Sequence, residues 1–277
     1  MSSVDNIEPK ELLMKKLLLI FTLLFSTVMF SSPSFAEGDD LQKAINQFFP
    51  NQIKVYGVKI IGTENTPFKD IEKAAKILNQ WLDNNGDGNP DDKLVIDKLI
   101  KNNAFLVMGK SENDLERSFD NLIDFLEDTN IDIDNFERAL IGLISDEPNI
   151  AYLEEILHLV TQVGYANAYP KVFGEFKGSR ISEAMDIARG GYFKTTPKIY
   201  PEKSWYHYYD KSCDYACMIT EYFYWSLTSL LGAQINRYAE ISEEWELNTP
   251  SKMTKDKLIM KILQDERYQI PKRLPSF

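Results

Sequence analysis

Apolar positions along the chain fall into two spacings. Residues 55–61 (VYGVKII) are rich in β-branched side chains and closed by Gly62, which predicts a strand. Residues 104–108 (AFLVM), ended by Gly109, predict a second, and residues 139–144 (ALIGLI) a third. Between them the spacing turns helical. Thr66-Pro67 marks a helix start, and Phe68, Ile71, Ala75, Leu78 and Leu82 then share one face. Residues 94–100 read as a short helix, and Leu115, Phe119, Leu122, Ile123 and Leu126 make one amphipathic face. Beyond residue 147 helical spacing dominates, over about 148–168, 179–189, 214–244 and 254–265. A small mixed strand and helix part followed by a mainly helical half predicts an α+β architecture rather than an alternating doubly wound fold.

The segment before this pattern reads as an address. Residues 14–36 are MKKLLLIFTLLFSTVMFSSPSFA. Lys15 and Lys16 precede an apolar run over 17–30, and Ser34 and Ala36 are the small residues of a cleavage site. The run is shorter than the ~20 residues a membrane span needs. Asp5, Glu8 and Glu11 precede it, which makes Met14 a candidate start. The expected mature chain is a single domain over residues 37–277, mixed over 37–147 and helical over 148–277. Such a protein is exported, periplasmic or secreted, with no stable membrane insertion once the leader is cleaved. The sequence leaves its oligomeric state open.

Charge and composition narrow the chemistry. The formal net charge is −11, and phosphate binding needs basic clusters, so nucleic acid is not an expected partner. Only 2 His and 2 Cys occur, too few for a cysteine-rich zinc module or an iron–sulfur protein. No glycine-rich phosphate loop and no G-x-S-x-G elbow is present. Cys213 and Cys217 are four apart. A disulfide is expected in an oxidising compartment if Cys213 precedes the following helix, with soft metal ligation as the alternative.

Two segments carry candidate metal chemistry. Residues 83–92 read DNNGDGNPDD, with Asp83, Asn85, Asp87, Asn89 and Asp91 at alternate positions and Gly88 at the turn. Oxygen ligands at every second position can wrap Ca2+ in a structural role. The first half resembles an EF-hand loop, and the whole resembles the aspartate-rich repeats of thrombospondin type 3. It departs from the EF-hand at Pro90 and at Leu94, where a bidentate Glu is the rule. The opposing view is a solvated turn between helices.

The second segment is residues 148–165, PNIAYLEEILHLVTQVGY. Glu154 and His158 are one helical turn apart and project side by side, with Glu155 beside them. The stretch EEILH resembles the HExxH helix of zincin metallopeptidases, with Glu154 where that family has its first histidine. Gluzincins take a third ligand from a Glu on a second helix, and ITEYFYWSL around Glu221 is similar to such a helix. The resemblance implies a zincin-like fold and Zn2+ or another divalent transition metal on Glu154, His158 and Glu221. It also implies Glu155 as general base and a peptide or polymer substrate. His207, in the aromatic stretch WYHYYD, would replace the missing ligand or assist the oxyanion, as would Tyr206, Tyr208 or Tyr209. The alternative is a non-catalytic, calcium-stabilised binding or structural module, with the two glutamates on a solvated helix face.

Overall fold

The computed structural model describes residues 35–129 and 140–277. The expected leader lies outside the described residues except for its last two, as does Ala139 of the third expected strand. The strand expected over 55–61 is not one strand. Tyr56 and Gly57 adopt φ of 48° and 91°, the left-handed pair that a two-residue hairpin turn requires. Helix α1 (Phe35–Phe48) leads into strand β1 (Asn51–Val55), which the turn folds antiparallel onto β2 (Val58–Gly62), with Val55 opposite Val58. The aliphatic run hid the turn, because its only breaker is a single glycine.

From β2 the chain crosses through helices α2 (Phe68–Leu82) and α3 (Lys93–Lys101) to β3 (Phe105–Gly109). Helix α4 (Glu112–Thr129) then precedes β4 (Leu140–Ile144). The sheet order is β1-β2-β3-β4, and β2, β3 and β4 are parallel. Alternation divides the side chains between two faces. Ile60, Leu106, Met108, Ile141 and Leu143 pack against α2, α3 and the C-terminal half. Ile61, Phe105 and Val107 pack against Ala44, Ile45, Phe119, Leu122 and Leu126 on the other face. The N-terminal half is therefore mixed, as expected, but it is a small three-layer unit with alternating strands and helices. Strands of five residues, two of them joined by a hairpin, do not reveal that layering in their spacing.

Asp114 ties the sheet to α4. Its carboxylate accepts from Asn65 Nδ2 at 2.7 Å, from Lys110 N–H at 2.9 Å and from the Thr63 hydroxyl. These donors follow the ends of β2 and β3. Burial alone would raise the Asp114 carboxyl, but the Thr63, Asn65 and Lys110 hydrogen bonds outweigh it and hold the group below its ordinary value.

The C-terminal half wraps the sheet's larger core with helices. Helix α5 (Asn149–Leu159) continues as a π-helical turn, Val160–Tyr165. Helices α6 (Arg180–Ala188), α7 (Tyr215–Leu230) and α8 (Lys257–Leu263) follow. The helix expected over 214–244 ends at Leu230. Gly232 takes φ 92°, its N–H bonds to Ser229 O, and Ala233 N–H bonds to Thr228 O, a glycine stop that satisfies the last carbonyls. Asp256 caps α8 through Ile259 N–H and accepts from Tyr222 in α7 at 2.6 Å and from Trp205 at 3.1 Å. Among the described residues, no helix is long and apolar enough to cross a membrane.

Gly57→Ala is expected to destabilise the protein by about 1–2 kcal/mol through left-handed strain. Urea denaturation should show a lower midpoint with an unchanged slope. A depressed carboxyl contributes stability that is complete above its unfolded pKa, about 4, and lost as pH falls through the folded value. Asp114→Asn should therefore cost stability near neutral pH and flatten the acid-side loss, as read from urea midpoints at neutral and acidic pH.

Candidate metal centre

Helix α5 places Glu154 and His158 one turn apart, and α7 brings Glu221 to meet them. His158 Nε2 lies 3.5 Å from Glu221 Oε1 and 3.9 Å from Glu154 Oε1. One ligand atom from each of the three residues lies within 4.8 Å of the others. His158 is fully buried, the Glu221 side chain is 7% exposed, and that of Glu154 is 28% exposed. Any approach from solvent is thus on the Glu154 side. The Tyr224 ring packs on the imidazole with centroids 5.6 Å apart. One turn along α5, Gln162 Nε2 meets the Thr220 hydroxyl at 3.3 Å, and Thr220 donates to Glu175. A polar seam therefore runs between two helices that are otherwise apolar or aromatic.

The seam is crowded with carboxyls. Burial pushes Glu221 well above its ordinary value, and the fields of Glu154, Glu244 and Glu155 add to this, while the Tyr208 hydroxyl bonded to it pulls the other way. Burial, with Glu154 and Glu147 nearby, likewise raises Glu155. One Glu155 oxygen is buried with no hydrogen-bond partner. Glu244 is raised to about 7, first by burial, although Trp225 Nε1 donates to it at 2.7 Å.

The remaining expected residues separate clearly. His207 does not join the triad: its Nε2 lies 2.9 Å from Ser204 Oγ, and its ring packs on Tyr200. Tyr206 is bridged to Trp245, and the Tyr206 and Tyr208 rings pack with centroids 6.2 Å apart. Tyr206 donates to Met218 O in α7, and the Tyr208 hydroxyl acts on Glu221, while the His207 ring meets Ser204. The sequence reading missed Glu244, which stands in a stretch taken as the end of a long helix. Only the break at Gly232 marks that stretch as separate.

The acidic loop does not gather its carboxylates around a point. Asp83 accepts from the N–H groups of Gly86 at 2.8 Å, Asp87 at 3.1 Å and Gly88 at 2.9 Å, and from the Tyr56 hydroxyl at 3.2 Å. Asp91 accepts from Asn84 N–H and Asn85 Nδ2, Asn85 from Asp87 N–H, and Asp87 from Asn89 N–H. Among the described residues, only Glu154, His158 and Glu221 converge as a cluster of three. The loop's own hydrogen bonds account for its shape, and Ca2+ on Asp83, Asn85, Asp87, Asn89 and Asp91 stays an expectation. Burial would raise Asp83, but the Gly88 and Gly86 N–H groups and the Tyr56 hydroxyl hold it below its ordinary value.

Cys213 and Cys217 form a disulfide with Cα atoms 5.4 Å apart. Cys213 precedes α7, whose first turn is capped by Asp214, so the bridge fixes the start of the helix that carries Glu221. Comparison with known proteins supplies no relative: no family model, curated protein or solved structure matches the chain.

Asp83→Ala should lower the melting temperature, because three loop N–H groups lose their acceptor. Chelating calcium tests the expected ion directly: an unchanged wild-type melting temperature would show that these hydrogen bonds suffice without one. A wild-type loss on chelation would show that a cation holds the loop.

Proposed function

We propose that this protein is an exported hydrolase dependent on a divalent transition metal and acting on peptide bonds. Glu154, His158 and Glu221 are its metal ligands and Glu155 its general base. The observation that carries this reading is the convergence of the three donors from two helices far apart in sequence. The donor set fits a cation. Two carboxylates and a neutral imidazole are the ligands of Zn2+, Mn2+ or Fe2+ sites, and the carboxylates weight the set toward harder ions. Crowded acid groups with raised carboxyls, and a buried Glu155 oxygen with no hydrogen-bond partner, make a cation favourable there.

A divalent cation held there would polarise a scissile carbonyl and make a nearby water more acidic. Glu155, next to Glu154 on α5, takes the proton of the attacking water and returns it to the departing amine. Tyr208, whose hydroxyl acts on Glu221, would turn it to the developing oxyanion. Trp225 holds Glu244, whose field also reaches Glu221, and its ionised form would favour cation binding. The expected leader puts this reaction outside the cytoplasm.

The burial of His158 and Glu221 favours a second reading, in which the same cation clamps α5 to α7 and does no chemistry. One variant separates the two. Protein purified without affinity metals should hold a transition metal near one per chain, and His158→Ala should lose it. Glu155→Gln should keep the metal and lose hydrolysis of an unfolded protein substrate by about 100-fold or more, as removal of a general base does. A metal retained in His158→Ala would overturn the site. Metal-loaded wild type without hydrolysis would leave the clamp.

A further inference from the structure

Tyr208 belongs to a segment whose exposed surface has no role so far. Residues 193–200 and 206–212 form two arms that run side by side. Thr196 Oγ1 donates to Asp210 O at 2.8 Å, and the Tyr200 hydroxyl donates to Tyr208 O at 2.7 Å. The Tyr200 ring packs on Tyr209 with centroids 6.1 Å apart. The second arm continues into Cys213 and the disulfide at the start of α7. The second arm thus runs into the helix that carries Glu221, and several residues of both arms are exposed.

The outer side has its own chemistry. Lys194, Lys198, Lys203 and Lys211 are exposed, against Glu202 and Asp210. The chain as a whole carries −11, so this is a basic strip on an acidic protein. Ile199 is 86% exposed and Tyr209 56% exposed among these lysines. A field of this sign concentrates anionic partners locally while the remaining surface repels them. An extended polyanion, such as a nucleic acid duplex or an anionic bilayer, would spread beyond the strip onto acidic surface. A short peptide with acidic and apolar side chains would not, and Ile199 and Tyr209 supply contacts for its apolar groups.

We propose that the two arms form a docking strip for acidic peptides. This assigns a substrate class and rests on the metal-hydrolase reading. The strip itself is tested by binding alone. Three labelled peptides of equal length, acidic, neutral and basic, with the same apolar residues, are titrated into the full chain and followed by fluorescence anisotropy. The acidic peptide should bind at least tenfold more tightly than the neutral one, and its affinity should fall as salt rises. The triple variant Lys194→Glu, Lys198→Glu, Lys211→Glu should remove that preference with melting temperature and metal content unchanged. Equal binding of the three peptides, or a preference that survives the triple variant, would overturn the proposal. Vesicles of anionic lipid or a DNA duplex binding as tightly as the acidic peptide would overturn its assignment to peptides. Metal analysis of the same samples keeps the two readings apart. A strip that prefers acidic peptides on a chain that takes no metal would stand while the hydrolase reading fell.

Discussion

Two helices pack along a seam in which a buried imidazole meets two glutamates. Taking carboxylates out of water is costly unless an opposite charge or a full set of donors meets them. Here Glu154, Glu155, Glu221 and Glu244 act on one another, and the groups that soften the crowding are Tyr208, Trp225 and the imidazole itself. A chain that only needed to join α5 to α7 would have placed leucines there. Retaining this cluster inside an aromatic core is the physical constraint from which the functional reading follows.

The surrounding structure serves to hold that seam. Helix α7 is buried along nearly its whole length and is fixed at several points. The disulfide and Asp214 set its start, Tyr206 reaches its Met218 carbonyl, and Tyr222 bonds to the Asp256 cap of α8. Helix α5 packs on the sheet and on α2, and its π-helical turn directly after His158 carries Gln162 to Thr220. Extra residues in a helical turn often mark functional positions, because they trade helix regularity for side-chain placement. With both helices anchored, the fold itself sets the spacing of the three donors.

Much of this was legible in the spacing of residues, for a physical reason. Helical periodicity is local, so Phe68–Leu82 and the face shared by Glu154 and His158 could be read from neighbours a few positions apart. The pairing with Glu221 was legible only as an anomaly, an acid within an apolar, aromatic helix. Features that depend on one residue's backbone angle or on distant pairing were not legible. Tyr56 and Gly57 turn within an unbroken aliphatic run, Gly232 ends α7 early, and the parallel sheet depends on pairing across long crossovers. His207 looked like a ligand by proximity in sequence, but its imidazole meets Ser204 instead. The acidic loop shows the converse. Its alternating oxygens were legible by spacing, whereas the hydrogen bonds they accept from the loop's own N–H groups were not.

The most direct test of the central claim is the position of a bound ion. Crystals grown with Mn2+ or Zn2+ and measured at the metal's absorption edge should show one strong anomalous peak between Glu154, His158 and Glu221, within coordination distance of all three. A peak elsewhere on the chain, or none at this seam in crystals that contain the metal, would contradict the account.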